Sequence, residues 1–360
     1  MDVGVFIPIG NNGWIASATS PQYKPSFDLN RAIVQKAESY GLDFALSMIK
    51  LHGYGGPTEY WDYNLESFTL MAGLAAVTKR IKLLASVAVL TLPPAMVARM
   101  AVTIDSIAPG RFGVNIVSGW QKAEYEQQGL WPGDAYFGYR YDYSTEYVAV
   151  MRELWETGRS DFKGKYFTMN DCRLLPKPSH PITVVSAGQS DRGMKFVADY
   201  CDYNFVAAFE DNNPKAVAST IARLKKATDG VERKIGALVL LTIIADETDE
   251  KAKAKLAYYN SGADVEALAW MSGQSAMDLK ASKESTAELL KKARETAKAS
   301  YLQTFCGSYA TVAAYLDEIA EIDGVAGVMI TFDDFLIGLD QFGRYIQPLM
   351  KSRGHIRMAA

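Results

Sequence analysis

GRFGVNIVSGWQKAEYEQQGLWPGDAYFGYRY, from Gly110 to Tyr141, is the stretch on which the fold turns. Its first part, Phe112 to Val117, is a short apolar run that predicts a strand buried on both faces. One member, Asn115, is an uncharged polar residue set inside that run. Beyond Val117 the chain turns polar and aromatic, reading as a loop, and Glu124, Arg140 and Tyr141 fall in this connection. In a parallel α/β protein, chemistry is built at the carboxyl ends of the strands. The segment therefore predicts a parallel sheet and, at its end, an active site.

Seven further apolar runs share this character: Val3–Ile9, Asp43–Ser47, Ile81–Leu90, Ile182–Ser186, Tyr203–Ala207, Gly236–Ala245 and Val325–Thr331. Between them lie helical patterns at Leu29–Tyr40, Leu65–Val77, Pro94–Ile107, Ser144–Trp155, Asp191–Tyr200, Pro214–Ala227 and Tyr309–Ile322, with Leu336–Met350 closing the chain. Eight strand–helix units in one chain predict an α/β fold: a closed (β/α)8 TIM barrel spanning residues 1–360 as one domain. The segments near 49–64, 118–143 and 249–305 read as insertions on it, the last as a helical excursion. The first two follow strands, which places them at the catalytic face.

The chain has 360 residues, 49% of them hydrophobic and 22% charged, the make-up of a protein with a large core. A net charge of −3 leaves no basic footprint for nucleic acid. Cys172, Cys201 and Cys306 are odd in number and widely spaced, so no disulfide framework is expected and a reducing cytoplasm is favoured. The first ten residues enter a strand at once and lack a basic leader region. No apolar run has the length needed to span a bilayer. The mixed-charge stretch Lys292–Lys298 reads as a solvated helix face. These features predict a cytoplasmic protein without membrane or nucleic-acid partners.

Several chemistries lack their residues. His52, His180 and His355 are far apart and pair with nothing at metal-ligand spacing, so no metal is expected. There is no G-x-S-x-G elbow, no G-x-G-x-x-G after the first strand and no phosphate-binding G-x-x-x-x-G-K-[ST] loop. Asp333-Asp334, between Phe332 and Phe335, reads as loop structure or a substrate-side lining. A barrel enzyme with neither metal ligands nor an obvious nucleophile often takes its chemistry from an organic cofactor.

Candidate residues for holding such a cofactor exist. The fifth predicted strand runs into Ser186-Ala187-Gly188-Gln189-Ser190-Asp191-Arg192-Gly193, where small residues let the backbone approach a ligand. Ser190 can cap the next helix, whose free N–H groups favour an anion. Arg140 can grip phosphate with both arms of its guanidinium, with the Tyr141 hydroxyl beside it. The plainer alternative makes Ser190 an ordinary cap and Arg140 a surface ion-pair partner. Asn115 in a barrel interior costs about 1–3 kcal/mol if unpaired, so it is either a core amide bonded to backbone or a contact for the polar edge of a ring. Ile49-Lys50 can supply backbone groups and an ammonium at the same face. Trp120, Trp131, Tyr125 and Tyr136 can wall a flat heterocycle, or simply pack.

Together these residues resemble the bacterial-luciferase-like flavin monooxygenases. The resemblance is carried by RFGVNIVSGW (111–120) and SAGQS (186–190). It extends along the chain to the pyrimidine (uracil) branch through VGVFIPIGNNGW (3–14), FALSMIKLHGYGG (44–56), NLESFTLMAGLAAVT (64–78), WPGDAYF (131–137) and ITFDDFL (330–336).

The resemblance implies an FMN- and O2-dependent enzyme that opens the uracil ring between N3 and C4, giving a ureidoacrylate peracid. Reduced FMN would come from a separate NADH-dependent flavin reductase. By matched position, Ile49, Lys50, Asn115, Glu124, Arg140, Tyr141 and Ser190 would bind FMN. Asn115 would lie at the flavin ring, and Arg140, Tyr141 and Ser190 at the phosphate. Leu46, Met48, Ser86 and Trp120 would form the oxygen pocket beside Asn115. Ser86 departs from the threonine carried by the uracil-opening enzymes, and Val206–Asp211 also differs, so thymine or another substrate stays open. Competing expectations are a sister monooxygenase for another cyclic amide or a halogenated aromatic, a deazaflavin-dependent dehydrogenase on the same barrel, and a non-catalytic flavin binder. A homo-oligomer is expected from the family.

Overall fold

Eight parallel strands close on themselves in a computed structural model that describes residues 1–278 and 298–354. In chain order the strands are β1 (Asp2–Ile7), β2 (Phe44–Ser47), β3 (Lys82–Ala88), β4 (Phe112–Val117), β5 (Arg159–Ser160), β6 (Cys172–Arg173), β7 (Thr183–Ser186), β8 (Tyr203–Ala207), β9 (Gly236–Asp246), β10 (Thr304–Ser308) and β11 (Val325–Phe332). The barrel runs β1-β2-β3-β4-β7-β8-β9-β11, and β11 returns to β1 through Asp2↔Gly327 to Val5↔Ile330. All eight expected strands are present, and the barrel is the TIM-type fold the sequence predicts.

Side-chain alternation separates barrel interior from helix layer. On β2 the hydroxyl of Ser47 points out to Ser67 at the start of a helix, so its neighbour Leu46 points inward. Val3, Val5, Ala45, Leu83, Val114 and Val184 are fully buried beneath the covering helices. Those helices are α1 (Phe27–Ser39), α2 (Ser67–Val77), α3 (Pro94–Ile107), α4 (Lys122–Glu126), α5 (Tyr136–Thr157), α6 (Asp191–Tyr200), α7 (Ala218–Ala227), α8 (Asp249–Ser261), α9 (Val265–Ser275), α10 (Tyr309–Ala320) and α11 (Phe335–Gln341). Pro94 opens α3, where its missing N–H and fixed φ cost nothing.

Three readings need correction. The 118–143 connection is not all loop: α4 forms within it, and α5 begins at Tyr136 instead of Ser144. Arg140 and Tyr141 therefore stand on a helix. Strand β10 begins at the end of the 249–305 excursion and runs past it, pairing β9 from Thr304↔Thr242 to Ser308↔Asp246, just beyond where β8 stops pairing. A two-residue antiparallel ladder, β5–β6, was not foreseen either. Within the excursion, residues 279–297 lie outside the described residues, as do most of Lys292–Lys298 and His355. Among the described residues, no helix is long and apolar enough to cross a membrane.

Candidate active site

The registers of β3 and β4 set Ser86 directly beside Asn115. Nδ2 of Asn115 donates to Oγ of Ser86 at 2.8 Å, and that hydroxyl donates to the carbonyl of Ser47 at 2.6 Å. The sequence of donors fixes the amide: Ser86 has spent its proton and can only accept, so Asn115 must turn its NH2 toward it. Oδ1 of Asn115 is then left buried without a partner among the described residues. An unmet buried acceptor costs about 1–3 kcal/mol, so this oxygen is suited to an incoming donor.

Asn115 opens into a cavity of about 260 Å3 at the carboxyl ends of the strands. Its lining includes Met48, Ile49, Lys50, Ser86, Trp120, Arg140, Tyr141 and Ser190 from the predicted set. Leu46 and Glu124 are not in it. Leu46 pairs in register with Leu84, two residues before Ser86 on the same face, and so lies one side-chain layer deeper. Of the four aromatic residues proposed as walls, only Trp120 lines the cavity. Trp131 instead packs on Tyr125 and Tyr136, with ring centroids 6.1 and 5.6 Å away.

At one end the loop after β7 meets α6 and α5. Ser190 caps α6, its hydroxyl accepting from the N–H of Gly193 at 3.2 Å. Gly188 and Gly193 approach so closely that a Cβ on Gly188 would lie 2.6 Å from Cα of Gly193. A Cβ on Gly193 would also meet the Tyr141 hydroxyl at 2.7 Å. The carbonyl of Gly188 is held by Nδ2 of Asn204 at 3.1 Å, and Gln189 accepts from the N–H of Ala207 at 3.0 Å. Arg140 reaches this end buried, not at the surface, with Nη1 2.9 Å from Oδ2 of Asp278. Its Nε has no hydrogen-bond partner among the described residues. A helix N-terminus, two glycines in contact and an arginine with unspent donors together suit a phosphate.

Lys50 is a further charged group in the lining. Its ammonium is 2.9 Å from the carboxylate of Glu124, and it donates to Oε1 of Gln121 at 2.5 Å and to the Tyr54 hydroxyl at 3.3 Å. The rings of Tyr54, Trp120 and Trp61 lie 4.8 to 5.6 Å from it. Burial pushes the Lys50 ammonium below its ordinary value, and Glu124 opposes that shift. Glu124 also accepts from the N–H of Leu51 at 3.1 Å, so it acts behind Lys50 and does not face the cavity.

The cavity also takes Phe6, Trp14, Trp61, Met271 and Tyr301, which the sequence reading did not name. Trp14 and Trp61 cross edge-to-face at 4.9 Å, and the Trp61 indole donates to the Gly13 carbonyl at 2.6 Å. Met271 comes from α9, where Trp270 stacks on His52 at 5.0 Å and Gln274 accepts from the N–H of Ala123 at 3.2 Å. His52 is thus a packing residue. The Trp/Tyr density of residues 14–61 was the available signal for Trp14 and Trp61; Phe6, Met271 and Tyr301 lie outside it. Asp333-Asp334 is loop structure: Asp334 caps α11, and Asp333 pairs with Lys255 at 3.0 Å.

The profile of the luciferase-like monooxygenase family matches residues 1–325. The pyrimidine monooxygenase RutA of a Bradyrhizobium species is 63% identical over 98% of both chains. RutA of Escherichia coli is 58% identical, covering 99% of this chain and 98% of its own. Among solved structures, the long-chain alkane monooxygenase LadA superposes with a TM-score of 0.81 at 18% identity, over 100% of this chain and 93% of its own. A likeness at that identity speaks for the barrel alone.

Proposed function

The chain belongs to the luciferase-like monooxygenase family, and from that premise we propose that it is an FMN- and O2-dependent pyrimidine monooxygenase opening uracil between N3 and C4. The product is a ureidoacrylate peracid, and reduced FMN comes from a separate NADH-dependent reductase. That the enzyme is a monooxygenase follows from the family; the pyrimidine substrate rests on relatives 58–63% identical that carry that name.

One observation carries the cofactor reading: two residues of the cavity lining each hold a buried polar atom without a partner among the described residues. Oδ1 of Asn115 and Nε of Arg140 are both buried and, among the described residues, unmet. An elongated ligand with a hydrogen-bonding ring edge and an anionic tail satisfies both. Arg140, Tyr141, Ser190 and the N–H groups of α6 hold the phosphate; Ile49, Lys50 and Asn115 hold the ring. Reduced flavin, when bound, supplies the electrons that activate O2. Asn115 and Ser86 orient the reacting oxygen, while Met48 and Trp120 keep water from it. Leu46 backs that pocket from the layer beneath, and Glu124 fixes the charge and position of Lys50.

The deciding experiment incubates the protein aerobically with uracil or thymine, FMN, NADH and a flavin reductase, under isotope-labelled O2. A labelled ring-opened peracid, or its reduced acid, is the expected product. Flavin oxidation without any labelled product would reject the pyrimidine reading.

A further inference from the structure

Asp278 follows just after α9, its side chain 4% exposed, with a carboxylate oxygen 2.9 Å from Nη1 of Arg140. Arg140 is the cation that the flavin reading gives to phosphate, so two anions lay claim to one guanidinium. The contact is ionic and not a directed hydrogen bond, for among the described residues neither Nε nor Nη1 of Arg140 has a hydrogen-bond partner. Asp278 thus neutralises the arginine but leaves its Nε and Nη1 donors without a directed bond among the described residues. A phosphate that accepts from a guanidinium through directed N–H bonds displaces a carboxylate that does not.

The carboxylate is not neutral toward that exchange. Like charges repel most where water is scarce, and this pair is buried. Asp278 is also tied to the cavity through α9, which brings Met271 to its lining and Gln274 to the backbone of Ala123. We propose that Asp278 is a built-in competitor for the phosphate subsite. It holds Arg140 in position while the site is free of flavin, then yields to phosphate, and so weakens the grip on the phosphorylated flavin. A chain that receives reduced flavin from another protein and gives it up again is served by exchange, not by permanent capture. The proposal rests on the flavin reading and adds a residue that sets affinity.

The test compares dissociation constants for FMN and riboflavin, read by flavin fluorescence, in the unaltered chain and in Asp278→Asn and Asp278→Ser. Riboflavin lacks the phosphate and reports whether the ring site is intact. The expected result is unchanged riboflavin affinity and FMN binding about tenfold tighter, the ratio that ~1.4 kcal/mol gives. Inorganic phosphate should also compete with FMN at lower concentration in both variants. An unchanged or reduced preference for FMN overturns the proposal alone, as does loss of riboflavin binding in both variants. Failure of the unaltered chain to bind either flavin removes the reading beneath it as well.

Discussion

Nδ2 of Asn115 donates to Oγ of Ser86 across the β3–β4 register at 2.8 Å, and the amide oxygen it leaves behind is buried and, among the described residues, unmet. The pair works as one unit, because Ser86 in turn is oriented by the Ser47 carbonyl. A bond between two side chains on neighbouring strands thus decides which atom of Asn115 meets a ligand.

Asn115→Ala removes that atom without touching the phosphate end. Flavin-linked NADH consumption should persist while oxygen transfer to the pyrimidine falls about a hundredfold or more, the loss typical of removing one preorganised polar group from a reacting centre. Product formation under labelled O2 gives the measurement, and an unchanged rate of ring opening would sink the assignment.

Ser86→Ala leaves Nδ2 of the buried Asn115 without the acceptor it has in the folded chain. Destabilisation by about 1–3 kcal/mol is expected in urea unfolding, together with poorer coupling of NADH use to product. Ser86→Thr keeps the hydroxyl and should restore both. Equal coupling in Ser86→Ala and Ser86→Thr would show that the hydroxyl does not orient Asn115.

The buried Lys50–Glu124 pair makes a pH prediction. Burial is the leading cause that lowers the Lys50 value below 10.5, ahead of the opposing pull of Glu124. The folded chain therefore releases this proton at lower pH than the unfolded chain does. Between the lowered folded value and 10.5 the unfolded state binds more protons, so this group's contribution to stability rises with pH. Below the folded value it is a constant penalty. The double variant Lys50→Met/Glu124→Gln should lose that rise, seen as a smaller gain in urea midpoint on moving from neutral pH toward 10. If both chains show the same slope, the shift is absent. Glu124→Gln alone strands the ammonium and should cost about 3–5 kcal/mol.

The barrel was legible because its strands are buried on both faces. Runs such as Val3–Ile7 and Phe112–Val117 have no polar face to confuse them with amphipathic helices. The start of α5 was hidden because Gly138 and a crowd of tyrosines mimic a loop, and tertiary packing of Tyr136 and Tyr139 outweighs their weak helix propensity. Strand β10 was hidden by length, its five residues being held by pairing with β9 and by Asp211 and Asn212, which receive the N–H groups of Thr304 and Cys306. In the site, parity could be read but depth could not. Met48 and Leu46 share a face, yet only register shows that Leu46 sits a layer below the cavity. Asp278 was out of reach, since no local pattern ties it to an arginine so distant in the chain.

Gly188→Ala tests the phosphate end by shape alone. The added methyl would lie 2.6 Å from Cα and 2.8 Å from the carbonyl carbon of Gly193, both backbone atoms that no rotamer change can move aside. Either the loop after β7 lifts from α6, or the first turn of α6 shifts. Each response breaks the alignment of Ser190 with the N–H of Gly193 and moves the Tyr141 hydroxyl that packs against the same glycine. A phosphate held by that turn loses several contacts together, whereas a flavin ring held at Asn115 and Lys50 loses none. FMN affinity should therefore fall by about tenfold or more, while riboflavin affinity changes little. Ser190→Ala, which removes the cap but leaves the glycine contact, costs about 1 kcal/mol of stability and should weaken FMN less. Equal losses for FMN and riboflavin in Gly188→Ala would mean that this turn supports the ring and not the phosphate.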